Sequence, residues 1–298
     1  MNDILVSVII PTYQRPQYLN RAILSVANQS YKNIEIVVVD DNGKGTGCQI
    51  ETQNVIKSLP FEINYIVNED TIGGARSRNK GAEASSGEYL CFLDDDDIYL
   101  ENKIKDQLEF MVGNDLDVSF TDIKMRNEEE KTVDKRIHKR YIKSTDNQSL
   151  LKYHLKYHLT PTDSYMFKRE AFFRCGGFKH RVVSQDFMLM LECIEKGLKI
   201  GYKEGVYAIQ YIHSQKRISQ GKNRILGDRM LYEIKQKYFN LLDKRDIRFI
   251  KFRYHAALFF YYIRERDFIK GAKELVLAFF KSPCDFFVEG FYLLSGRD

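Results

Sequence analysis

No stretch of this 298-residue chain is apolar for the roughly eighteen residues that a helix needs to cross a bilayer. The first apolar run, ILVSVII, stops at Pro11 and follows an acidic residue at position 3, so it does not read as a signal peptide. Cysteine is sparse. Cys48, Cys91, Cys175, Cys193 and Cys284 are odd in number, scattered and without a CxxC pair, which argues against a disulfide framework or a zinc ribbon and for reduced thiols in a cytosolic setting. There are no internal repeats and no low-complexity linkers. GKGTG (43–47) lacks the GxxxxGK[ST] spacing of a phosphate loop, and His154 and His158 lack the intervening glutamate of an HExxH zinc motif.

What is present suffices for a substantial core, since 44% of the residues are apolar. The formal charge of +5 is uneven: residues 222–298 carry 16 lysines and arginines against 10 aspartates and glutamates. Apolar, β-branched runs at ILVSVII (4–10), IEIVVVD (34–40), INYIV (63–67), YLCFLD (89–94) and DVSFTDI (117–123) read as buried strands. Helical patterns lie between them at about 16–29, 48–58, 75–85 and 100–112. This alternation predicts an α/β fold with a mostly parallel sheet covered by helices on both faces, and ligands in such sheets bind beyond the carboxyl ends of the strands. Residues 126–146 read as a hairpin or loop. A helix is expected at 147–158, strands at 164–167 and 206–213, and a helix at 185–197. Beyond 221 the pattern is almost wholly helical, with aromatic faces.

The strand ends carry the chemistry. Asp94, Asp95, Asp96 and Asp97 follow the fourth strand, and four adjacent carboxylates repel one another unless they are solvated or share a cation. Oxygen-only ligands suit Mg2+ or Mn2+ better than zinc. The plain alternative is an acidic helix cap, with Asp97 facing a helix that starts near Leu100. Asp40 and Asp41 follow the second strand in a turn-forming DDNG. In GGARSRNKGA (73–82), Gly74 precedes Arg76, Arg78 and Lys80 on the first turns of a helix, where cations and free N–H groups suit a diphosphate.

Taken in order, SVIIPTYQRPQYLNRAILSVANQSYKNIEIVVVDD, GGARSRNKGAEASSGEYLCFLDDDD, GGF, QDFMLMLECIEKG and a late YIH resemble the family 2 glycosyltransferases of GT-A fold, over about residues 4–215. The resemblance implies a metal-dependent, inverting enzyme acting on a nucleotide-sugar donor, UDP-linked by expectation, and on a glycan acceptor. Lipid-linked glycans of capsule or O-chain assembly are the implied pathway. Position by position, it places Pro11, Thr12, Tyr13 and Arg15 beside the nucleotide base, gives Asp41 to the base with Asp40 in support, and sets Gly74 and Arg76 or Arg78 near the nucleotide. Asp94 to Asp96 overlie the DxD element, Asp95 toward ribose and Asp96 toward Mn2+ or Mg2+, with Asp94 and His213 as further metal candidates. Asp186 is the implied general base, helix capping being its plain alternative. Gln185 stands where many relatives have Glu, and Gly177 and Phe178 shape the acceptor side or merely pack a turn.

The resulting expectation is a catalytic domain over 1–220 and a helical extension over 221–298. That extension either packs as a subdomain, meets an anionic membrane from the cytoplasmic side, or contacts a second copy. Nucleic acid fits its aromatic and aliphatic content poorly. A nucleotidyltransferase and a non-catalytic sugar- or lipid-binding relative are the rival readings.

Overall fold

The computed structural model describes residues 3–181, 184–213 and 222–295. They form two compact units. The first comprises Met1–Leu150, Leu159–Arg181 and Gln185–His213; the second comprises Leu151–His158, Val182–Ser184 and Ser214–Asp298. A boundary at 220/221 falls outside the described residues, and the second unit also takes in Leu151–His158.

The first unit opens with three βα repeats: β1 (Val6–Thr12), α1 (Pro16–Ala27), β2 (Ile34–Asp40), α2 (Gly47–Lys57), β3 (Asn64–Val67) and α3 (Gly74–Ala84). Pro16 starts α1 with a fixed φ where no N–H is needed. The Thr46 hydroxyl caps α2 by accepting from the Gln49 N–H at 3.2 Å. Residue 81 of α3 must be glycine, because a Cβ there would sit 2.5 Å from Cγ2 of Ile9; its absence lets the helix lie directly on β1 and β2. All seven residues of β1 are buried, as a strand covered on both faces requires.

β4 (Tyr89–Phe92), β5 (Ile98–Tyr99), α4 (Lys103–Gly113), β6 (Val118–Asn127), β7 (Thr132–Arg136) and α5 (Asn147–Tyr157) follow. A 3-10 turn at Thr162–Ser164 then leads to β8 (Met166–Lys168), α6 (Arg169–Arg174), α7 (Gln185–Glu195) and β9 (Ile200–Ile212). The strand order is β3-β2-β1-β4-β8-β6-β9-β5, with β7 paired to β6. β1 to β4 are parallel, as the sequence pattern implies. The other half is mixed, because β8 enters antiparallel to both β4 and β6 while β9 runs parallel to β6. The registers Thr12↔Asp40 and Ile9↔Phe92 bring the ends of β1, β2 and β4 to one edge, where the acidic run emerges. All five cysteines are free.

The second unit holds α8 (Lys222–Gln236), α9 (Lys244–Arg264), α10 (Phe268–Lys281) and α11 (Pro283–Ser295). Phe249, Phe252 and Ala278 form its core, with Tyr157, Ala256 and Phe286 packed against them. The buried Asp246 carboxylate takes ion pairs from Lys152 and Lys156, each at 2.6 Å, which compensates a charge that would be costly alone. No described helix is long and apolar enough to cross a membrane.

Candidate active site

At the end of β1 the chain turns sharply, with Gln14 at φ 56°. Thr12 Oγ1 donates to Asp95 Oδ2 at 2.8 Å, and the Tyr13 N–H donates to the same oxygen at 3.3 Å. Arg15, at the entry to α1, pairs with Asp95 Oδ1 at 2.6 Å and with Asp96 Oδ2. Arg21, six residues further on in α1, donates to the Asp96 carbonyl at 2.7 Å and lies over the Tyr211 ring.

The acidic run is not one cluster. The Asp94 side chain pairs with Arg78, and its N–H donates to Asp163 Oδ1 at 2.9 Å. Asp97 accepts from the Tyr211 N–H at 2.7 Å, and Asp163 accepts from Gln210 Nε2 at 2.6 Å. Carboxylate oxygens of Asp94, Asp97 and Asp163 lie within 4.8 Å of one another. The helix-cap role for Asp97 is therefore wrong. Ile98 and Tyr99 pair with Ile209 and Ala208 as a short strand, and α4 begins only at Lys103, after Asn102. Burial pushes the Asp95 carboxyl up to about 7 although Arg15 opposes the shift. Burial likewise raises Asp97 and Asp163, reinforced by the neighbouring carboxylates.

His213 stacks on Tyr18, with ring centroids 4.1 Å apart, and its Nε2 stands 3.7 Å from Asp96 Oδ2. The structure thus joins Asp96 with His213, and Asp94 with Asp97 and Asp163. Of the two candidate arginines, Arg76 is exposed, whereas Arg78 bridges Asp94 and, at 3.0 Å, Gln185 Oε1. A Cβ on Gly74 would come within 3.1 Å of Arg78 Nη1, so that position sets the space for the guanidinium.

The Phe178 ring packs among Phe92 and Phe172 with the Arg78 guanidinium 5.3 Å above it. Only 2% exposed, it packs against the Arg78 side chain. Gly177, at φ 63°, takes a left-handed turn that lets Asn79 clamp the backbone N–H and carbonyl of Phe178, both at 2.9 Å.

The β2 carboxylates turn inward. Asp40 accepts from the Tyr65 hydroxyl at 2.6 Å and Asn42 Nδ2 at 2.7 Å. Asp41 accepts from Asn68 Nδ2 and from the N–H groups of Ile72 and Gly73, all at 2.8 Å. Asp41 therefore holds the turn into α3, a role that its position in the sequence did not reveal. Pro11 lies within β1, opposite Val39.

Asp186 is the second residue of α7, inside the helix and not its cap, and it is half-buried. Its carbonyl accepts from the Tyr165 hydroxyl at 2.9 Å. Burial disfavours the Arg78 charge, but Asp94, then Asp163 and Asp186, more than offset this and raise its pKa. Arg78 thus lies in the field of both the acidic run and α7. Val182 and Val183, just before this motif, lie outside the described residues.

The model of the family described as Glycosyl transferase family 2 matches residues 7–178, more than half of the chain. The chain belongs to that family. This family 2 chain is 32% identical over 120 residues to the UDP-Glc:alpha-D-GlcNAc-diphosphoundecaprenol beta-1,3-glucosyltransferase WfgD of Escherichia coli, covering 40% of the chain and 46% of that protein. Its matches span 46%, 22% and 19% of the first curated relatives. It resembles S. aureus TarS 1-349 in complex with UDP-GlcNAc, with a TM-score of 0.61 at 19% identity, over 94% of this chain and 92% of that one. It also resembles the mannosyltransferase PcManGT of Pyrobaculum calidifontis in complex with GDP-Man and Mn2+, with a TM-score of 0.61 at 16% identity, over 97% and 80% of the two chains. These likenesses establish the GT-A fold.

The buried carboxyls of the family 2 chain have a measurable consequence. Groups whose pKa is raised by folding bind protons more tightly when folded, so their contribution to stability falls as pH climbs through the folded value, about 7 for Asp95. Buried His138, lowered to about 3 by burial and by Arg136 and Arg140, acts oppositely below the ordinary histidine pKa. The comparison is therefore between variants. Under chelator, Asp163→Asn is expected to gain melting temperature relative to wild type on going from about pH 5 to about pH 8. A difference that does not vary with pH would show that the buried pair carries no such penalty.

Proposed function

We propose that this chain transfers a sugar from a nucleotide-diphosphate donor, most simply UDP-linked, to a glycan acceptor with inversion at the anomeric carbon. The observation that carries this reading is one edge of the sheet where Arg15 and Arg78 meet Asp94, Asp95 and Asp96, with Gln185 and Asp186 reached through Arg78. Cations interleaved with carboxylates are what a diphosphate and a divalent ion require of a protein. In this reading residues Pro11 to Arg15, with Asp40 and Asp41, flank the base, Asp95 takes the ribose, and Arg78 stands by the diphosphate. Gly177 and Gln185 shape the acceptor side.

The site suits Mn2+ or Mg2+: its donors are carboxylate oxygens with one imidazole, and arginines now supply the positive charge those carboxylates need. Asp96 with His213 would hold the ion, Asp94 being drawn toward Asp97 and Asp163, and the ion when bound would neutralise charge growing on the leaving diphosphate. Asp186 accepts the proton of the acceptor hydroxyl as that oxygen attacks the anomeric carbon. Thr12 keeps Asp95 oriented, and the buried Phe178 keeps Arg78 in place.

A lipid-linked acceptor of surface polysaccharide assembly accords with the name of the E. coli relative. It would place the protein at the cytoplasmic face of the membrane, as a catalytic domain over 1–220 with a helical extension. On α10 of that extension Ile269, Val276 and Phe280 are exposed on one face beside Lys273, a pattern suited to an anionic lipid surface more than to nucleic acid. A second copy of the chain is the other occupant to test.

Incubation with a panel of nucleotide sugars and acceptor lipids tests the reading. Release of nucleoside diphosphate that depends on Mn2+ or Mg2+ is expected. Pyrophosphate release would establish nucleotidyl transfer instead, and nucleotide-sugar binding without turnover would identify a binding protein.

A further inference from the structure

The strongest unexplained contact at the site is between Arg15 and the two carboxylates of Asp95 and Asp96. We propose that Arg15 is an internal counter-ion which holds this pair until a nucleoside diphosphate arrives, so that cation and nucleotide bind cooperatively through an exchange of partners. This rests on the assignment of Asp96 to the cation under the proposed function.

Four observations support it. First, Arg15 spans both acids, one nitrogen on Asp95 Oδ1 at 2.6 Å and the other on Asp96 Oδ2, which makes it, among the described residues, the nearest positive charge to the carboxylate that would take the cation. Second, the Asp95 side chain is wholly buried, and a charged carboxylate there is costly without a partner, so Arg15 favours the charged form of the acid beside Asp96. Third, Arg15 is built to leave. Its side chain is 36% exposed and belongs to the non-helical junction between β1 and α1, at φ −140° and ψ 45°, whereas the Arg78 side chain is only 12% exposed. Fourth, the Asp95 carboxylate and the Asp96 backbone have anchors of their own. Thr12 holds Asp95, Arg21 holds the Asp96 backbone, and neither contact involves Arg15.

A cation arriving alone must break both contacts and send the guanidinium into water. A diphosphate offers that guanidinium a forked acceptor of the same geometry as the carboxylates it leaves, so arrival of the nucleotide removes the competitor for the cation. Arg15 thus acts as a positioning residue for the order in which the site fills, and binding of each partner raises the affinity for the other.

The test is Mn2+ binding, followed by the electron paramagnetic resonance of free Mn2+, to wild type, Arg15→Gln, Arg15→Lys and Asp96→Asn, each with and without UDP. Without nucleotide, Arg15→Gln is expected to bind Mn2+ about tenfold more tightly than wild type, and the gain that UDP confers is expected to shrink by a similar factor. Arg15→Lys, which keeps the charge but loses the fork, should fall between. If the glutamine variant does not fold, the lysine variant decides in its place. Unchanged or weaker Mn2+ binding without nucleotide in the folded variant overturns the proposal. Asp96→Asn separates this from a failure of the site assignment. Loss of Mn2+ in Asp96→Asn with no gain in the Arg15 variants refutes the counter-ion alone. Wild-type Mn2+ binding in Asp96→Asn, or none by wild type even with UDP, refutes the site assignment and the counter-ion with it.

Discussion

Asp96→Asn is expected to lower kcat/KM by about 10²- to 10³-fold, the usual cost of removing one preorganised electrostatic partner of a developing charge. The substitution keeps the shape of the side chain and removes its charge. The backbone here does not depend on that charge, because Arg21 holds the Asp96 carbonyl at 2.7 Å and the Asp97 N–H donates to the Asp94 carbonyl at 3.1 Å. Melting temperature should therefore stay near that of wild type, while the paired charge at Arg15 and the approach of His213 lose their focus. The rate loss should persist at saturating nucleotide sugar, since the missing interaction belongs to the leaving group more than to recognition of the base. Turnover close to wild type in a folded Asp96→Asn protein would remove Asp96 from the site.

The parts of this molecule that could be read from its sequence are those whose cause is local. β1 and β2 are short β-branched runs and β4 a short apolar one, all largely buried, and burial of that kind leaves a nearly continuous apolar signature. β5, two residues long, has no signature of its own and exists because β9 offers it a backbone partner; β8 falls near the strand expected at 164–167, but its antiparallel place between β4 and β6 is set by those partners. The same distinction divides the site. Four consecutive aspartates announce themselves, but how their charges are neutralised does not, because Arg15 and Arg78 come from distant turns. Asp163 was invisible for a related reason. It sits in a three-residue 3-10 turn, and only the antiparallel pairing of Cys91 with Met166 brings that turn beside Asp94. Phe178 left two readings open because a glycine turn does not tell which way the next side chain points; this one tucks an aromatic ring beneath an arginine.

Asp186→Asn is expected to cost about 10²- to 10⁴-fold in kcat, the range a positioned general base contributes. Two contacts argue that the loss would be chemical, not structural. The Tyr165 hydroxyl bonds the Asp186 backbone carbonyl at 2.9 Å, which holds the start of α7 whatever side chain stands there. The Phe187 N–H donates to Asp186 Oδ1 at 2.8 Å, and the amide oxygen of asparagine can accept that same bond. An amide cannot take a proton from the acceptor hydroxyl, so donor binding should survive while transfer fails. Affinity for UDP, measured by calorimetry, should stay close to wild type, and the lost rate should appear in kcat more than in the KM for the donor. Wild-type kcat, or a fall matched by an equal loss of UDP affinity, would show that Asp186 supports the site and does not act as its base; Gln185, held by Arg78 at 3.0 Å, lacks a basic group to replace it.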